Sequence, residues 1–143
     1  MEIQFIAGFG PVGPDPKQMY DFWSRTLGLD FEEKAPDYHH ARGLGGANVF
    51  ALWPLSQAAE ATFGSPEWPK DLPVPQAWIE FELASPDAVG AAAAELQQAG
   101  QRILAGPATE PWGQTTARLL SPEGLLVGLS YMPEFHGDDD RSS

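Results

Sequence analysis

A chain of 143 residues with 43 % apolar content is long enough for one compact domain with a real core and too apolar for a disordered segment. Its formal net charge of −12, from 20 acidic and 8 basic residues, argues against nucleic acid as a partner and favours cationic small molecules. Without cysteine it has no disulfide, thiolate metal site or cysteine nucleophile. No apolar run is long enough to cross a bilayer, and Glu2 and Gln4 interrupt any signal-peptide pattern, so the expectation is a cytoplasmic protein without a membrane partner.

In chain order, Glu2–Phe9 alternates and carries large apolar groups, which predicts a strand. Asp15 as N-cap and Pro16 at the first helical position open a helix. Met19, Phe22, Trp23 and Thr26 follow at helical spacing, with Trp23 on the core side, and Gly28 stops the helix. Leu29–Lys34, Asp37–Ala41 and Asn48–Pro54 are three short strand candidates, broken by Ala35–Pro36 and by the turn at Gly43–Gly46. Residues 1–54 therefore form a first βαβββ module. Residues 55–75 read as a linker from Pro66, Pro69, Pro73 and Pro75, with a short helix over Ser56–Phe63 and with Trp68 pinning it to the body.

Residues 76–133 repeat the order. Ala77–Leu83 alternates, with Trp78, Glu80 and Glu82 on one face and Ile79, Phe81 and Leu83 on the other. Ser85–Pro86–Asp87 opens an alanine-rich helix to Ala99, closed by Gly100, and Arg102–Gly106, Thr115–Leu120 and Leu125–Tyr131 are strands. A shift of 72 residues lays Pro14–Asp15 on Pro86–Asp87, Gly28 on Gly100 and Phe31 on Ile103, which indicates an internal duplication. Residues 134–143, with Glu134, Asp138, Asp139 and Asp140 against Arg141, read as a disordered acidic tail that also holds His136. The expected fold is α+β: two tandem βαβββ modules forming a curved mixed sheet around an open cleft, with the helices on the outer face.

Two segments carry a family resemblance. DPKQMYDFWSRTLGLDF (residues 15–31) and EPWGQTTARLLSPEGLLVGL (residues 110–129, with the turn Ser121–Gly124) resemble the opening and closing signatures of the glyoxalase/bleomycin resistance protein/dioxygenase (vicinal oxygen chelate) superfamily. The resemblance runs from about Ile3 to Pro133 and implies the fold, but no single activity, since the superfamily holds isomerases, epimerases, dioxygenases, thiol transferases and non-catalytic drug binders. Metal-dependent members place His, Gln or Glu ligands on the first and last strands of each module. Carried over, these positions fall at Gly8, about Ala51, about Trp78, and Gly128, whose side chains cannot ligate a divalent ion. Gln4 and Glu80 are the nearest alternatives if the register slips, and Glu80 alone makes a poor site.

What the cleft offers instead is aromatic and acidic. Trp53, Trp78 and Trp112 are candidate ligand walls, Glu80 and Glu82 candidate charged contacts, and Gly8 and Gly128 are expected to leave open space. Structural alternatives stand beside each: Trp78 as core, Glu82 as a solvated strand end, Arg118 as an ion-pair partner of Glu80 or Glu82. His39 and His40 are adjacent and face opposite sides of a strand, so one can enter the cleft as a general base, although a surface or hydrogen-bonded structural role is the favoured reading. GFGPVG (residues 8–13) lacks the spacing of a dinucleotide fingerprint. The leading expectation is a metal-free, cofactor-free and non-catalytic small-molecule binder of the bleomycin-resistance kind, with a homodimer implied by the resemblance. The alternatives are a divergent lyase, isomerase or dioxygenase with a displaced metal, and an interaction domain whose cleft is plugged by Trp78 and Trp53.

Overall fold

The strand–helix–three-strand order occurs twice in a computed structural model of the protein, in which residues 1–137 are described. The first module runs β1 (Phe5–Gly13), α1 (Pro16–Tyr20, continued as a π-helical turn over Asp21–Thr26), β2 (Phe31–Ala35), β3 (Tyr38–Ala41) and β4 (Val49–Pro54). Helix α2 (Leu55–Phe63) follows, then an irregular stretch. The second module runs β5 (Ala77–Glu82), α3 (Pro86–Gln98), β6 (Ala105–Thr109), β7 (Thr115–Leu120) and β8 (Leu126–Tyr131). No helix among the described residues is long and apolar enough to cross a membrane.

The chain divides into two compact units: Gly8–Trp78, and residues from Ile79 onward together with Met1–Ala7. In the first, the strand order is β2-β3-β4-β1, with β1 parallel to β4 and the other pairs antiparallel. In the second it is β5-β8-β7-β6, with β6–β7 and β7–β8 antiparallel. Met1–Ala7 is fastened there by the Gln4 N–H to the Glu82 carbonyl (2.9 Å) and by the Met1 ammonium to Glu95 (2.8 Å).

Local chemistry explains where the elements lie. Asp15 caps α1 through the Gln18 N–H, and Ser85 caps α3 through the Ala88 N–H, each followed by proline. Strand β1 starts later than expected and continues through Gly8 and Gly10 to Gly13. A side chain at Gly10 would put Cβ 2.0 Å from the Ala51 carbonyl oxygen, so glycine is what lets β1 lie against β4. Strand β6 likewise continues past the expected stop at Gly106: that residue has φ +78, and a Cβ there would meet the Thr116 carbonyl at 2.3 Å. Trp68 anchors the stretch after α2, donating to the Pro73 carbonyl (2.8 Å) with its ring against Phe63.

The two helices pack differently. Helix α3 buries Val89, Ala92 and Ala93 against Leu83, Ala117, Leu129 and Tyr131, because small alanines let it approach the strands closely. Helix α1 and its π-helical continuation bury no residue fully, and their aromatics rest on the strands as half-covered rings. The expectation of a disordered tail from Glu134 is corrected for the first part of that segment. Pro133–His136 forms a 3₁₀ turn, held because the Phe135 ring meets Phe5 and the His136 ring stacks on Tyr131 at 4.6 Å. Residues 138–143, which include Asp138, Asp139 and Asp140, lie outside the described residues.

Candidate functional site

Strand alternation gives each unit one side that meets α1 or α3 and an opposite side that does not. In the first unit the helix side holds Phe50 against Trp23, Phe31 against Tyr20, and His39 against Tyr20 at 4.6 Å. The opposite side holds His40 directly across from Ala51, with Gly8 across from Val49. Of the two histidines, His40 is thus the one on the side away from α1, beside the Tyr38 ring at 4.9 Å.

Trp78 lies on this side but is only 5 % exposed. Its indole N–H donates to the Ala51 carbonyl (3.2 Å), and Trp53 meets it edge-on at 6.0 Å. A Cβ on Gly8 would come within 3.0 Å of the indole Cη2. The open space expected at Gly8 is therefore occupied by Trp78, and the packed Trp53–Trp78 pair is present. Burial pushes the His40 imidazole below its usual 6.5, Lys34 adds to the shift, and Glu32 opposes it.

In the second unit the helix-free side is polar. Glu80 reaches over Gly128, where a Cβ would meet its Cγ at 2.8 Å, so this glycine also makes room for a neighbour instead of leaving a gap. Gln114 donates to Glu80 Oε1 (2.9 Å) and to Ser130 Oγ (2.8 Å), while its own Oε1 accepts from the Trp112 indole (2.8 Å). Arg118, across from Gly128, is only 2 % exposed and pairs with Glu110 at 3.0 Å; Thr116 donates to the same carboxylate oxygen. Burial pushes the Glu80 carboxyl above the ordinary carboxylate range. Arg118 and the Gln114 hydrogen bond pull it down, and Glu82 and Glu110 push it further up.

Glu82 is not a solvated strand end: it is 0 % exposed. One oxygen accepts from the Met132 N–H and from His136 Nε2 (2.9 Å), so it fastens the 3₁₀ turn to β5. Trp112, by contrast, is 55 % exposed although its N–H is held.

The structure thus joins Glu80 and Trp112 through Gln114, pairs Trp53 with Trp78, and puts Glu82 with His136. Sequence reasoning missed Gln114, Ser130, Thr116 and Glu110. The first three share a face with Arg118 by strand alternation and were open to that argument. Glu110 precedes β7 in a turn closed by the Gly113 N–H to the Glu110 carbonyl, and carried no periodic signal.

The residues present do not fit the divalent ion that the superfamily resemblance implies. Gly8, Ala51, Trp78 and Gly128 offer no donor, and Glu80 is a single carboxylate already bonded to Gln114. Among the described residues no group of three or more His, Asp and Glu side chains could hold a metal.

Residues 9–129 match the model of the Glyoxalase/Bleomycin resistance protein/Dioxygenase superfamily. No curated protein sequence matches the chain. Similar solved structures include a member of that superfamily from Vibrio splendidus 12B01, at 13 % identity over 92 % of this chain and 100 % of that one (TM-score 0.58). Methylmalonyl-CoA epimerase from Streptomyces coelicolor is similar at 21 % identity over 91 % and 98 % (TM-score 0.53). The Mn(II)-bound glyoxalase from Novosphingobium aromaticivorans is similar at 20 % identity over 90 % of this chain and 39 % of that one (TM-score 0.56). At these identities the likeness is one of fold. With the family model covering the chain from β1 to β8, this protein belongs to the glyoxalase/bleomycin resistance protein/dioxygenase superfamily.

Proposed function

We propose that this protein is a metal-independent small-molecule binder, and that Trp112 and Glu80 meet the ligand on the helix-free side of the second unit. The observation that carries the reading is that Gln114 holds both groups: an indole more than half exposed and a carboxyl whose charge is suppressed by burial. An exposed indole face and a carboxylate together suit a planar organic cation, through stacking, cation–π attraction and a charge-assisted hydrogen bond. Trp53 offers a further aromatic surface in the first unit, while Trp78 and Glu82 serve as buried supports. Because a cation at Glu80 displaces a proton, affinity rises with pH through the titration of that carboxyl.

N-methylacridinium and neutral acridine, titrated at a pH where acridine is uncharged and followed by Trp fluorescence, test this. The cation, which carries charge but no N–H, should bind roughly tenfold or more tightly than the neutral ring through charge attraction to Glu80 and the Trp112 face. Glu80→Gln should abolish that preference, and Trp112→Ala should weaken both probes. Equal binding of the two probes, or a preference that survives Glu80→Gln, would overturn the reading.

The proposed assembly is a homodimer. Phe22, Leu27 and Phe9 are about half exposed, and edge-to-face contacts join Phe22, Trp23, Phe50 and Phe9 into one apolar surface. Sedimentation equilibrium should return twice the chain mass of 15.5 kDa, and the single-chain mass at all concentrations would refute it.

A further inference from the structure

Three buried side-chain polar atoms make no hydrogen bond among the described residues: Thr62 Oγ1, Glu82 Oε1 and His40 Nε2. Thr62 shares the inner side of α2 with Ala58 and Ala59, a purely packing position. Glu82 already holds Met132 and His136 through its other oxygen. His40 differs from both, because aromatic rings flank its row across β2, β3 and β4.

In that row His40 stands between Glu32 on one neighbour strand and Ala51 on the other. Glu32 is paired with Lys34 at 3.6 Å, so the outer end of the row is close to neutral. At the inner end Ala51 contributes only a methyl, and its carbonyl is capped by the Trp78 indole. Two residues along each strand on the same face stand Tyr38 and Trp53, and the Tyr38 ring approaches the imidazole edge-to-face at 4.9 Å. Burial and Lys34 keep the imidazole uncharged near neutral pH, so its ring nitrogens divide into one donor and one acceptor.

We propose that His40 Nε2 is a ligand contact that accepts a hydrogen bond from the hydroxyl or N–H of a small neutral aromatic molecule, whose ring lies against Tyr38 and Trp53. The buried nitrogen has given up water without replacing it, and folded proteins keep few such atoms. A ligand bearing a donor restores the lost bond; the same ring without a donor does not. The neighbouring aromatics select a flat ring. Lys34 and Glu32, paired at the outer end, offer no net charge to a charged ligand at this position. The inference does not rest on the Glu80–Trp112 reading, since it uses different residues and an uncharged probe.

Phenol and toluene are the matched probes, with histidine-labelled protein observed by NMR. His39, packed on Tyr20 on the opposite side of β3, is the internal control. Phenol should move the His40 ring-nitrogen signals and leave those of His39 in place, and should bind roughly tenfold more tightly than toluene, about the worth of one recovered hydrogen bond. His40→Phe should bring phenol down to the toluene affinity and leave that of toluene unchanged. Should His40→Phe fail to fold, the signals of the unaltered protein still decide. His40 signals that stay in place at saturating phenol, or equal affinity for the two probes, would overturn the proposal.

Discussion

Replacing Trp78 by phenylalanine separates an indole that acts as a wedge in the packing from one that acts as an open ligand wall. In the structure the ring is 5 % exposed, donates to the Ala51 carbonyl at 3.2 Å and lies over Gly8. Trp78→Phe keeps an aromatic ring against Trp53 but removes the donor and the outer part of the bicycle. The long hydrogen bond is worth about 1 kcal/mol, and the gap left over Gly8 costs about 1 kcal/mol more. A total of about 2 kcal/mol lowers Tm by roughly 4–8 °C in a protein of this size. Differential scanning calorimetry reads this directly. If Trp78→Phe melts within a degree of the unaltered protein, the indole is not wedged into the packing and the reasoning fails.

Other expectations follow from the buried carboxyls. Burial places the folded-state pKa of Glu80 above its ordinary 4.5, so the folded chain holds a proton that the unfolded chain releases, and stability falls as pH rises from 4.5 through the folded-state value. Glu80→Gln should therefore raise Tm at neutral pH and lose that advantage below pH 4.5; a gap independent of pH would contradict it. His136→Ala leaves the fully buried Glu82 carboxylate without its imidazole and removes a ring stacked on Tyr131, at a cost of about 2–4 kcal/mol. Urea unfolding measures this, and a loss below about 0.5 kcal/mol, the range of an ordinary surface substitution, would mean the 3₁₀ turn contributes nothing to stability.

Much of the architecture was legible because each local signal had one physical meaning. Asp15–Pro16 and Ser85–Pro86 are capping pairs, and the alternation of Ala77–Leu83 put Trp78, Glu80 and Glu82 on one face, as observed. The errors occur where distant backbone decides. Gly10 lies just past one expected strand end and Gly106 at another, yet they are places where a second strand approaches too closely for a Cβ. Gly8 and Gly128 were expected as gaps, yet Trp78 and Glu80 fill the space over them, which nothing local announces. His136 looked like tail because its partner, Glu82, lies 54 residues away. Which of His39 and His40 faces α1 depended on β2–β3–β4 register, which the sequence specified only as opposite sides.

The claim on which the functional account rests is that the donor set of this chain cannot hold a divalent ion. Chelator-stripped protein titrated calorimetrically with Mn²⁺, Ni²⁺ and Zn²⁺ tests it most directly. The account predicts no stoichiometric heat below millimolar concentration for any of the three. Binding of one ion per chain at micromolar affinity, lost in Glu80→Gln, would contradict it.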